Sequence, residues 1–112
     1  MRPNPIFALA LCAAMFAPIP AYASPEAELA EQRLRGCLLA GASAAPRSGL
    51  ETAVIAVRSF CGTQIKRVRE DRVRTATEGL KGDAAKAAED RAIRVLNDEI
   101  ALTIANFTGL TL

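Results

Sequence analysis

The segment SGLETAVIAVRSFCGTQIKRV, residues 48–68, has the clearest helical pattern in the chain and is the strongest indication of its fold class. Ser48 followed by Glu51 matches a capping box, in which each side chain accepts a hydrogen bond from the other residue's backbone N–H. Apolar side chains then recur at steps of three and four, so they share one helix face. That face consists of Leu50, Val54, Val57, Cys61, Ile65 and Val68. A helix is therefore predicted, with Cys61 in the middle of its buried stripe.

Helix-compatible sequence continues beyond Val68 until Gly79 and Gly82, which are the first clear stop signals. The next two positions of the inner stripe are Arg72 and Thr75, so the stripe loses its apolar character there. We therefore predict one helix over about residues 49–78, whose last two turns extend beyond the core or meet a polar neighbour.

The segment before residue 48 predicts a second helix on the N-terminal side, over about residues 25–40. Ser24 is a good N-cap, Pro25 suits the first helical position, and acidic side chains follow in the first turn. Glu31 and Arg35 have the spacing of a surface ion pair. The apolar face contains Ala27, Ala30, Leu34, Cys37, Leu38 and Gly41. Cys37 is therefore predicted to point inward.

A third helix is predicted over about residues 84–108, with Asp83 as its N-cap and Gly109 at its end. Its core face contains Ala85, Ala92, Leu96, Ile100, Thr103, Ile104 and Phe107. No alternating pattern typical of a strand interrupts the chain. The predicted fold is all-α: a small three-helix bundle, in which helices 1 and 2 form an antiparallel hairpin.

The first 23 residues have the layout of a secretory signal peptide: Arg2, an apolar run over residues 6–17, and the small-residue close Ala21-Tyr22-Ala23. The apolar run has 12 residues, whereas a membrane span needs about 20. Two alternatives are an uncleaved anchor and lipidation at Cys12, where the bulky Leu11 is unfavourable. We predict cleavage before Ser24 and export to the bacterial periplasm or the medium, which leaves residues 24–112 as a single small domain.

Outside the cytosol, Cys37 and Cys61 are expected to form a disulfide, because they lie on the inner faces of consecutive helices. The alternatives are a redox-active pair and a metal site. A dithiol oxidoreductase usually presents its cysteines close together at a helix N-terminus. With no histidine in the chain, two thiolates would need two carboxylates to complete a zinc site. We expect neither a metal nor a cofactor.

Composition argues against several classes of partner. The formal net charge is +2 and falls to +1 when Arg2 leaves with the leader, so no general basic field favours nucleic acid. Phe60 and Phe107 are the only aromatic residues after the leader, which makes base-stacking platforms hard to build. No membrane span is expected in the mature chain.

The basic segment around residues 66–74 has two interpretations. Arg58, Arg69 and Arg72 fall towards one side of the predicted helix and would form a docking patch for an acidic partner or a phosphate-bearing ligand. Alternatively, the segment is a solvated face with local ion pairs, such as Glu70 with Arg74. In that case Arg72 is a structural residue, paired with Glu89 or Glu99.

Catalytic groups are scarce. Without histidine, Ser-His-Asp and Cys-His arrangements are impossible, and no glycine-rich phosphate loop is present. We predict a non-enzymatic exported module that acts by binding protein, including a second copy of itself as a homodimer. One alternative is an envelope stress protein or holdase-type periplasmic chaperone. A second is a small carboxylate-based hydrolase, because carboxylates are plentiful.

Overall fold

Four α-helices and no strand make up the part of the chain that the structure describes. The structure is a computed structural model that describes residues 24–111, and the predicted leader lies outside these residues. The helices are α1 (Pro25–Ala44), α2 (Leu50–Phe60), α3 (Gly62–Thr77) and α4 (Gly82–Thr108). The predicted all-α class is confirmed. The predicted count of three helices differs from the four that the structure shows.

The difference arises at Cys61, where the helix predicted over residues 49–78 is divided into α2 and α3. Cys61 has φ −103° and ψ 18°, outside helical values. Helical hydrogen bonding continues across this residue: the Cys61 N–H donates to the Val57 carbonyl at 2.8 Å, and the Ile65 N–H to the Cys61 carbonyl at 2.9 Å. Gly62 follows directly, and glycine weakens a helix because it has the greatest backbone freedom. One residue therefore interrupts an otherwise continuous arm.

The predicted helix ends are confirmed in some places and corrected in others. The Ser24 hydroxyl accepts a hydrogen bond from the Ala27 N–H at 3.2 Å, as expected of an N-cap. Gly109 ends α4 in the left-handed conformation with φ 72°. The capping box at Ser48 is absent, because Gly49 is the N-cap of α2 and no side chain caps that helix. Asp83 lies inside the first turn of α4, since the helix begins at Gly82.

The predicted disulfide between Cys37 and Cys61 is present and joins α1 to the junction of α2 and α3. The two Cα atoms are 5.9 Å apart. Cys61 is fully buried, and Cys37 packs against the core from α1. One turn further along α1, Gly41 lies so close to α2 that a Cβ atom there would be 3.1 Å from Phe60 Cδ1. A side chain at this position would therefore press against α2, and the ring of Phe60 would have to shift by a few tenths of an ångström.

All four helices contribute to one core, and each contacts the other three. Its buried residues are Ala30, Leu34, Leu38, Ala42, Ala53, Val57, Cys61, Ile65, Val68, Leu96, Ile100 and Ile104. Most residues predicted on the inner stripes lie in or against this core, whereas Ala27, Ala85, Ala92 and Thr103 are only partly buried. Phe107 was predicted on the core face but is 47% exposed. After the turn at Gly109, Leu110 packs against this end of the core instead.

Replacing both cysteines, in Cys37→Ala/Cys61→Ala, is expected to lower the free energy of unfolding by about 3 to 4 kcal/mol, because the unfolded chain regains the entropy of an open loop. Urea denaturation of the double variant and of the oxidised protein measures the difference. Reduction of the unmodified protein serves as the control and should give a similar loss. A loss below about 1 kcal/mol would contradict a stabilising role for this bond.

Candidate functional site

Arg72 is the centre of the best-defined polar cluster among the described residues. It lies on α3, one turn beyond the buried Val68, and its side chain is 27% exposed. Its Nε and Nη2 atoms donate to the two carboxylate oxygens of Glu31 on α1, at 2.8 and 3.0 Å. Its Nη1 atom lies 2.7 Å from Glu99 Oε2 on α4. One guanidinium therefore joins three helices through a bidentate pair and a second ion pair.

The environment of Arg72 raises its pKa above the ordinary value. The hydrogen bond to Glu31 is the largest cause, burial acts in the opposite direction, and the bond to Glu99 raises the pKa further. A raised pKa means that the stabilisation is fully present below the unfolded value and is lost only as the pH rises through the folded value. Arg72 therefore stays charged across the accessible pH range.

The Arg72 cluster closes one end of a groove between α1 and α4, with a volume of about 330 Å³. The base of this α1–α4 groove consists of Leu34 and Leu38 of α1 and Leu96 and Ile100 of α4. Each of these four side chains is at most 4% exposed. Arg35 and Thr103 line the groove further along. The groove thus has a polar mouth above a buried apolar base.

The three arginines of the predicted docking patch lie in separate surroundings. Arg58 Nη1 donates to Asn97 Oδ1 at 3.1 Å. Arg69 lines a shallow groove with Glu89 and Ile93. No hydrogen bond or ion pair joins either of them to Arg72 within residues 24–111. The three side chains therefore have different neighbours, with Arg58 on α2 and Arg69 and Arg72 on α3.

Of the two partners predicted for Arg72, the structure shows Glu99 and not Glu89. Glu31, which the helical spacing pairs with Arg35, binds Arg72 instead. Likewise, Arg74 pairs with Asp71 at 3.3 Å and not with Glu70. Glu31 was the residue that sequence reasoning missed as a partner of Arg72. In the sequence, Glu31 lies at the edge of the apolar stripe of α1. Arg72 is the charged residue on the stripe of α3, and these two positions face each other.

Within residues 24–111, no group of three or more His, Cys, Asp or Glu side chains is arranged to hold a metal ion. None of the helices described combines the length and the apolar character that crossing a bilayer requires.

Comparisons of the chain with known protein families, with curated proteins and with solved structures find no match. The function is therefore argued from the chemistry and geometry of the site itself.

Replacing Arg72 in Arg72→Met is expected to lower the free energy of unfolding by about 1 to 3 kcal/mol, because Glu31 and Glu99 lose their shared cation. Urea denaturation at neutral pH measures the change. The matched control is Lys86→Met, which removes an exposed pair of 3.1 Å with Asp90 and should have no measurable effect. Equal effects of the two substitutions would show that the Arg72 cluster does not hold the helices together.

Proposed function

We propose that this chain is a non-enzymatic, exported helical module that acts by binding another protein along the α1–α4 groove. The observation that carries the proposal is a pair of exposed apolar side chains that continue the two walls of the groove. Leu39 lies one turn after Arg35 on α1 and is 39% exposed, and Phe107 lies one turn after Thr103 on α4. Large exposed apolar side chains beside a groove are typical of protein-binding surfaces.

We also propose that α2 and α3 together act as one interrupted helix. The architecture is then a three-helix bundle, in which α1 forms an antiparallel hairpin with this interrupted helix. The hydrogen bonds that continue through Cys61 support this interpretation. Export is supported by the signal-like layout of residues 1–23 and by the disulfide, since disulfides persist in oxidising compartments. These features together describe a small domain that keeps its binding surface rigid outside the cytosol.

A non-enzymatic role is supported by the use that the groove makes of its carboxylates. Glu31 and Glu99 are both bound to Arg72, so each carboxylate already has a partner within the protein. With no histidine in the chain, the groove lacks the commonest general base. Binding is therefore preferred over the carboxylate-based hydrolase.

A photoreactive phenylalanine that replaces Thr103 is expected to form an adduct with another protein when the exported chain is irradiated in its native cells. The same group in place of the exposed Thr52 on α2 is the control and should form none. The substitution Leu39→Asp should weaken the adduct at Thr103, because it places a charge on the apolar wall. Mass spectrometry identifies the adduct and shows whether the mature chain begins at Ser24. Equal adducts from both positions, or none from either, would contradict binding along the groove.

A second candidate function is that of a holdase that opens at acid pH, and the construction of the groove favours it. The apolar base is covered where Arg72 joins Glu31 and Glu99, and Arg35 is a further charged group lining the groove. Protonation of the two carboxylates removes their attraction to Arg72 and leaves Arg35 and Arg72 as like charges. Acidification would therefore separate α1 from α4 and expose the four apolar side chains of the base.

This second candidate predicts that binding of an apolar fluorescent dye increases at acid pH. The variant Glu31→Gln/Glu99→Gln should show increased dye binding already at neutral pH, because it removes the same two charges. Asp90→Asn is the control, since its partner Lys86 is exposed and distant from the groove. Unchanged dye binding, together with no suppression of client aggregation at acid pH, would exclude the holdase.

A further inference from the structure

A second surface lies on the side of α4, where two large apolar side chains are exposed at an interval of seven residues. Val95 is 47% exposed and Leu102 is 61% exposed. Positions seven apart lie two turns from each other, about 10.5 Å along the axis, on nearly the same side of a helix. Ala88 precedes Val95 by the same interval. We call the row Ala88, Val95 and Leu102 the α4 stripe.

The N-terminal half of the α4 stripe is a hollow and the C-terminal half is a projection. Ala88, Ala92 and Ala76 of α3 line a depression of about 380 Å³, and Val95, Arg72 and Arg91 complete its lining. Leu102, at the other end of the stripe, is the large side chain that extends into solvent. The α4 stripe therefore contains both a projecting leucine and an alanine-lined hollow of a size to receive a leucine side chain.

The charged residues beside the α4 stripe are also divided between its two halves, with a basic residue in one half and an acidic residue in the other. Arg91 lies beside the hollow, and Asp98 lies seven residues later on the same flank of α4. Both side chains are exposed, and neither forms an ion pair with any other residue in the range 24–111. When two copies of α4 pack antiparallel with Val95 near the two-fold axis, Arg91 lies opposite Asp98 of the second copy. In the same register, Ala88 lies opposite Leu102.

From this complementarity we propose that the mature protein forms an antiparallel homodimer through the α4 stripe. Each Leu102 enters the alanine-lined hollow of the other copy, and two Arg91–Asp98 pairs flank the contact. An isologous interface of this kind requires that one surface complement itself, and the stripe meets the requirement in both shape and charge. The inference rests on the proposed function as a protein-binding module, and it names one partner as a second copy of this chain.

The test uses the mature, oxidised protein in sedimentation velocity, at concentrations from about 1 µM to about 1 mM. A concentration-dependent dimer is expected, and Leu102→Lys should weaken it at least about tenfold, because it places a positive charge beside Arg72 and Arg91 in the hollow. The control is Ile55→Lys on α2, whose side chain is also 61% exposed and which should leave the dimer unchanged. Circular dichroism verifies that both variants keep their helix content.

Charge reversal tests the antiparallel register. Arg91→Asp and Asp98→Arg should each weaken the dimer, since each places two like charges opposite one another, and the double variant should restore it. A monomer at every concentration, or a dimer that Leu102→Lys leaves intact, would overturn the proposal. So would a double variant weaker than both single variants. If the protein is a monomer but Thr103 still yields adducts with another protein, the dimer is excluded while the proposed function stands.

Discussion

The disulfide between Cys37 and Cys61 is the constraint on which the arrangement of the helices depends. Cys61 ends α2, directly precedes α3 and is fully buried, so a single covalent bond from α1 restrains both helices at their junction. The junction itself is a weak point, because Cys61 is outside helical geometry and Gly62 follows it. A domain this small has little core with which to hold such a joint by packing alone. The bond supplies the restraint at the position where the interrupted arm needs it.

Beyond the disulfide, the buried row of apolar side chains ends at Arg72, where ion pairs replace apolar contacts. Val57, Cys61, Ile65 and Val68 form a continuous buried row, and Arg72 occupies the next turn of the same row. A charge at the edge of a core is costly unless it is paired and hydrogen-bonded. Glu31 and Glu99 meet that requirement from the two helices that flank α3. The groove between α1 and α4 therefore combines an apolar base with one end at which the two helices meet through a shared arginine.

The helical periodicity of the sequence was enough to predict the all-α class, the inner faces and the disulfide, because each depends on which side chains share a face. It did not show the interruption at Cys61, since the apolar steps continue through Gly62 without a change of phase. The local ion pairs were predicted from spacing within one helix. Glu31 and Arg72 are on different helices, so their pairing depends on how α1 packs against α3. The spacing of residues within one helix carries no information about that packing. An unbroken helix would place Arg58, Arg69 and Arg72 on one side. The interruption at Cys61 instead puts Arg58 on α2 and the other two arginines on α3.

The two surfaces of α4 meet at Glu99. Positions three or four apart are neighbours on a helix, so Glu99 lies beside both Val95 and Leu102 while its carboxylate binds Arg72. Its side chain is 52% exposed, and a second copy on the α4 stripe would remove water from it. Screening of the Glu99–Arg72 pair would then decrease, and the pair would hold α1 and α4 together more strongly. In the dimer that we propose, dimer formation and the state of the groove would therefore be coupled, and the coupling would be reciprocal: a change that separates Glu99 from Arg72 would also weaken the dimer.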